Sequence, residues 1–160
     1  LEGHFLYGED FPQHVPALLD QIPALFKVPR EALDHSWESL DLLTRKVKHL
    51  GRKRALEPQY FAPIVAYIGE CIRVQVKGEW LMVQSWQHQA IWEPCVRGKD
   101  GRIHDAFFVY YEMLDNTANT PGPISLASAV SFARPTRDPN QPSSAVFALG
   151  MIQSDLKPDE

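Results

Sequence analysis

The sequence predicts an α+β domain in which N-terminal helices pack on a small, mainly antiparallel sheet. Three observations carry that reading. Apolar residues recur at helical spacing through residues 15–76, short apolar stretches bounded by glycine turns follow from residue 79, and the two regimes meet in one place. That place is Tyr67-Ile68-Gly69-Glu70, then Arg73 and Gly78-Glu79-Trp80, where a buried helix runs through a glycine corner into a strand. Helices followed by strands, rather than alternating with them, are the pattern of a segregated α+β architecture.

The opening, with Phe5, Tyr7 and Phe11, reads as irregular. Over 15–26, Leu18, Leu19, Ile22, Leu25 and Phe26 keep helical spacing, and Pro16 suits a first turn. Pro23 has no amide donor, so it predicts a kink or a division into short helices. A clearer helix follows, capped by Asp34 or Ser36 and stopped by Gly51, with Trp37, Leu40, Leu43, Val47 and Leu50 as its apolar stripe. Over 60–76, Phe61, Ile64, Val65, Ile68, Ile72 and Val76 define a second strong helix, with Pro63 tolerated only near its start. Gly69 costs about 1 kcal/mol relative to alanine in a helix interior, which predicts that another stretch of backbone passes close to it.

Gly78 is expected to reverse the chain into Trp80-Leu81-Met82-Val83, apolar on both faces and so placed centrally in the sheet. Residues 91–97 and 103–114 read as two more strands of an antiparallel meander, joined by Gly98-Lys99-Asp100-Gly101, with Pro94 at an edge or bulge. Residues 116–123 read as loop, 124–132 as a short helix or strand, 134–144 as an exposed proline-bearing excursion, and 145–152 as a last strand. One domain spans 1–160, with a helical part over about 12–77, a sheet part over about 79–153 and a polar tail at 154–160 that frays. A chain of this length buries roughly two thirds of its unfolded surface and can stand without staples.

Composition narrows the function. The hydrophobic share of 44% and charged share of 22% are those of a globular protein, and no apolar run reaches the roughly 20 residues of a membrane helix. Leu1-Glu2-Gly3-His4 lacks the pattern of a signal peptide, so a cytoplasmic location is expected. The two cysteines, Cys71 and Cys95, are read as reduced and buried; a bridge between them would need an oxidising compartment. The net charge of −4 conceals a basic patch of Arg45, Lys46, Lys48, Arg52, Lys53 and Arg54, without which the remainder carries −10. Cations in the last turn of a helix also complement its dipole, so part of this run has a structural explanation.

The search for catalytic groups finds none in a diagnostic pattern. G-x-S-x-G, the Walker loop and G-x-G-x-x-G are all absent. Glu70 and Glu79 are an imaginable acid/base pair, set against a reading as a helix-face ion pair, Glu70 with Arg73, plus a solvated turn residue. His88, Cys95, His104 and Asp105 form the alternative enzyme reading, a small metal-dependent or Cys/His hydrolase, although C-x-x-C and H-x-x-x-H spacings are missing. No metal and no cofactor is expected. Of the aromatic set Trp80, Trp86, Trp92, Tyr110 and Tyr111, Trp80 and Trp92 are assigned to the core, and Trp86, in the polar loop 85–89, to an exposed interface anchor. Nucleic-acid binding through 45–54 is a further alternative, disfavoured because the aromatic residues lie on other elements.

Asp34-x-Ser36-x-x-Ser39-Leu40-x-x-Leu43, Tyr67-x-Gly69-Glu70-x-x-Arg73, Gly78-x-Trp80 and Trp92-Glu93-Pro94 occur in that order. In this arrangement, over residues 15–115, the chain resembles a family of small uncharacterised bacterial proteins that are similar to the immunity proteins of polymorphic toxins. The resemblance implies a cytoplasmic protein that binds and neutralises a toxin domain. The expected function is therefore a non-enzymatic protein-binding module whose partner is another protein. Its partner-binding residues are expected to be Glu31, Asp34, Glu38, Asp41 and Trp86, and Tyr67, Gly69, Glu70, Arg73, Gly78 and Trp80 are expected to form a structural motif.

Overall fold

The computed structural model describes residues 7–84 and 91–107, together with Val109, Tyr110, Met113, Leu114, residues 125–127 and Val130. Among the described residues four α-helices precede an antiparallel three-stranded sheet. They are α1 (Phe11–Phe26), α2 (Trp37–Leu50), α3 (Arg52–Ala55) and α4 (Pro58–Val76); the strands are β1 (Glu79–Gln84), β2 (Trp92–Arg97) and β3 (Ile103–Asp105). The fold is therefore α+β, with the helices packed on the sheet. Among the described residues no helix is long and apolar enough to cross a membrane. Trp86, Tyr111 and His88 lie outside the described residues, as do the loop at 116–123, the excursion at 134–144, the strand expected at 145–152 and the tail.

Helix α1 runs unbroken through Pro16 and Pro23, contrary to the division expected at Pro23. The apolar stripe explains the continuity. Val15, Leu18, Ile22 and Phe26 are all buried, and Pro23 stands close enough to the C-terminus that its own carbonyl accepts the Val28 amide closing the helix. Burial of several large side chains, each contributing roughly 1.5–3 kcal/mol, outweighs the one backbone hydrogen bond that a proline withholds.

Helix α4 is the hub. Every residue from Tyr60 to Ile72 is buried, because α4 has neighbours on all sides rather than one apolar face on a sheet. Phe61 packs its ring on Phe107 and Tyr110, at centroid distances of 5.3 and 5.5 Å, and Tyr60 meets Phe26 edge-on at 5.8 Å. The Tyr110 hydroxyl donates to the Ala55 carbonyl and so ties the following segment to α3. Thr44, buried in α2, donates its hydroxyl to the Leu40 carbonyl and accepts the amide of Leu126 at 2.8 Å.

Three sequence expectations about the sheet fail. β1 is an edge strand of the order β1-β2-β3 and is only half-buried, whereas β2 occupies the centre and is buried through Glu93, Pro94, Cys95 and Val96. Pro94 nevertheless keeps an unladdered side, since β3 pairs only with Cys95, Val96 and Arg97. The strand expected over 103–114 ends at Asp105, and the chain is helical at Ala106, Phe107, Val109, Tyr110, Met113 and Leu114. Phe107, Tyr110 and Leu114 recur at the three- and four-residue intervals of a helix, so packing against α4 overrides the β preference of this aromatic stretch. The third concerns Gly78. Lys77, at φ 49°, makes the left-handed turn, and Gly78 is required because a Cβ there would lie 2.4 Å from the Arg97 carbonyl oxygen.

Candidate protein-interaction site

Two kinds of charge cluster emerge from the fold, one sealed at the α4–β1 joint and the other left open along α2. At the joint, the Trp80 ring lies over Gly69, where an added Cβ would approach its Cη2 to 1.9 Å. The close neighbour expected at Gly69 is thus an indole ring and not a backbone. The ring also meets Phe11 edge-on at 5.7 Å, and Trp80 is half-buried rather than fully enclosed in the core; Trp92, half-buried as well, stands beside Gly8.

Glu70 makes the helix-face pair with Arg73 expected from the sequence, and it does so buried. Arg73 grips it bidentately, Nε to Oε1 at 2.9 Å and Nη2 to Oε2 at 2.8 Å, and the Trp80 indole donates to Oε1 at 2.6 Å. Burial pushes the carboxyl toward protonation, but the hydrogen bonds from Arg73 and Trp80 and the Arg73 charge more than offset this and hold its pKa below the ordinary range. Glu79 pairs with Arg97 on the outer surface. Because successive strand residues face opposite ways, Glu79 points away from the face that carries Trp80 and its partner Glu70, so the two carboxylates do not form an acid/base pair.

The same alternation separates the Cys/His set. Cys95 stands opposite Asp105 and Val96 opposite His104, so Cys95 and His104 project to opposite faces of the sheet. Cys71 and Cys95 are both buried and not joined in a disulfide, and burial pushes the Cys71 thiol far up, into its inert protonated form. Burial lowers the His104 pKa as well. No group of three or more metal-capable side chains occurs among the described residues.

The open charges lie at the two ends of α2. At its start, Ser36 accepts the Ser39 amide as the helix cap, and Asp34 accepts the Ser36 amide, so both residues proposed for the cap take part. The hydrogen bonds from Ser36 hold the Asp34 carboxyl below its ordinary range. Beneath this turn the buried Tyr67 hydroxyl donates to Ser39 Oγ at 2.6 Å and accepts the His35 amide at 3.1 Å, while His35, at φ 62°, stacks on the Tyr67 ring. Burial pushes the Tyr67 pKa up to about 12. Glu31, Asp34, Glu38 and Asp41 are all exposed around this fixed turn, and Glu31, Glu38 and Asp41 have no cationic partner among the described residues. Beside them a recess of about 290 Å³ is floored by Leu33, His35 and Tyr67 and rimmed by the Asp20–Arg30 ion pair.

At its far end, α2 and the start of α4 enclose a groove of about 680 Å³. The basic patch read from the sequence divides here. Arg45, Lys46 and Arg54 line the groove and are joined by Lys27 and His49, while Lys48, Arg52 and Lys53 do not line it. Lys27 sits just beyond the end of α1, and His49 in the last turn of α2, one turn on from Arg45. The folding of α1 against α2 and α4 is what brings Lys27 to this cluster.

No protein-family model matches the chain, and no curated protein or solved structure is significantly similar to it. What the fold and the site define is the architecture: an α+β domain with a sealed interior and charges of opposite sign presented at the two ends of one helix.

Proposed function

We propose that this chain is a non-enzymatic protein-binding module that receives a basic partner on the acidic shelf of Glu31, Asp34, Glu38 and Asp41. One observation carries the reading: exposed carboxylates, three of them without cationic partners among the described residues, surround a turn fixed from below by the Tyr67, Ser39 and His35 hydrogen bonds. Charges already held in place lose little freedom on association, and a one-signed cluster accelerates encounter with an oppositely charged surface. Following the resemblance set out above, the partner is a toxin domain of a bacterial cell, neutralised in the cytoplasm. The opposed faces of Cys95 and His104 favour this reading over the hydrolase.

Paired affinity purification tests it, with the wild-type chain and a Glu38→Lys/Asp41→Lys variant as baits, and with any toxin encoded beside the gene titrated against both. The expected result is a basic partner bound by the wild type and weakened more than tenfold by the reversal, roughly 1.4 kcal/mol or more. Equal binding by both baits, or a neighbouring toxin that neither binds, overturns the proposal.

A further inference from the structure

The groove at the far end of α2 is a second surface, independent of the acidic shelf. We propose that it docks an acidic amphipathic helix presented by a partner protein. Its floor is apolar, made by Leu25, Phe26, Leu42, Leu50 and Tyr60. Its walls carry Lys27, Arg45, Lys46, His49 and Arg54, and no aspartate or glutamate lines it. Among the described residues no carboxylate forms an ion pair with Lys27, Arg45, Lys46 or Arg54, so these cations are available to an incoming anion.

The exposed face of α2 sets the spacing. Leu42, Lys46, His49 and Leu50 fall at intervals of four, three and one, so an apolar residue recurs two turns apart with Lys46 and His49 between. A helix with leucines two turns apart and carboxylates flanking them matches this face residue for residue, which is the helix-in-groove mode of recognition. His49 donates from Nδ1 to the Arg45 carbonyl, which fixes the ring and leaves Nε2 for the ligand. Arg54 donates to the Tyr60 hydroxyl and lies over the Tyr60 ring at 5.4 Å.

That last contact decides against nucleic acid. Bases need an open aromatic face on which to stack, and the two rings in this floor, Phe26 and Tyr60, are buried, Tyr60 being covered by a guanidinium as well. A recessed floor likewise keeps its leucines from a flat lipid surface, which binds protruding apolar side chains.

The experiment uses fluorescence anisotropy with three probes: a labelled peptide of about 14 residues, four helical turns, with a leucine stripe flanked by glutamates; its shuffled isomer lacking the stripe; and a single-stranded oligonucleotide. The striped peptide is expected to bind saturably at micromolar concentration, its isomer at least tenfold more weakly, and Arg45→Glu/Lys46→Glu to reduce the striped peptide's affinity more than tenfold. Amide shifts of the wild-type chain on titration are expected to map to Leu42, Lys46 and His49, a readout that stands even if the charge-reversed variant folds poorly. Equal binding of the two peptides, tighter binding of the oligonucleotide, shifts confined to other surfaces, or no saturation overturns the proposal. The Glu38→Lys/Asp41→Lys variant should bind the striped peptide as the wild type does, so failure of the shelf and failure of the groove are told apart.

Discussion

The α4–β1 joint and the surface of α2 both carry several ionised side chains, yet they treat them in opposite ways. At the joint, Glu70 is buried and its carboxylate is satisfied by two hydrogen bonds from Arg73 and one from Trp80. Along α2, carboxylates at one end and cations at the other stand unpaired among the described residues. A buried charge is retained only when its lone pairs are met, because an uncompensated one costs several kcal/mol. An exposed charge bears no such requirement, so partners can be left unfilled. The difference separates the part of the molecule that specifies the fold from the part free to recognise something else.

The comparison breaks most sharply at Gly69. Replacement by alanine drives a methyl into the Trp80 ring, and the variant is expected to lose about 3 kcal/mol, at the upper end of overpacking effects. Urea denaturation measures this, and a Gly69→Ala/Trp80→Leu double variant should recover part of the loss, since the two sites share one contact. A neutral Gly69→Ala would mean that the joint yields and does not specify the fold.

A smaller effect sharpens the contrast in charge. Glu70→Gln removes the ionic half of the Arg73 contact and should cost about 1–2 kcal/mol at neutral pH. The folded-state pKa of Glu70 is depressed, so its contribution is fully present above the unfolded value of 4.5 and is lost as pH falls through the folded value. Stabilities of wild type and variant should therefore begin to converge as pH falls below 4.5 and meet only below the folded value, and a constant gap down to strong acid would contradict the assignment.

The smallest effect belongs to the turn under the acidic shelf. Ser39→Ala deprives the Tyr67 hydroxyl of its acceptor and should cost about 1 kcal/mol. Alkali offers a check on the wild type. The Tyr67 pKa is raised from 10.0 to about 12, so the stability tied to its neutral form is whole below pH 10 and is lost as pH rises through 12. Phenolate absorbance should accordingly show Tyr67 still protonated well above pH 10, with Tyr110, which burial pushes higher, ionising later still.

The legible parts of this fold were the local ones. Ser36, Asp34 and Gly51 bound α2 because capping is chemistry between near neighbours in the chain, and the apolar spacing of Phe61, Ile64, Val65 and Ile68 located α4 for the same reason. What resisted reading depends on distant residues. Whether β1 or β2 lies centrally is decided by where β3 pairs, and the helical turn after Asp105 by the rings of Phe61 across the core. The site divides likewise. The acidic residues and the whole basic patch are visible as charge, and the Glu70–Arg73 pair as spacing, but Lys27 joins Arg45 only through the packing of α1 on α2, and no local signal announces the indole that reaches Glu70 from ten residues later.

The Thr44 hydroxyl has a consequence for synthesis. Its acceptor position is filled by the amide of Leu126, 82 residues further along the chain. While the ribosome is still extending the second half, α2 can wind and meet α4, but this interior oxygen waits for a donor not yet made. The nascent helical half must therefore persist incomplete for several seconds at ordinary elongation rates of about 5–20 residues per second, and it closes only when the late segment arrives.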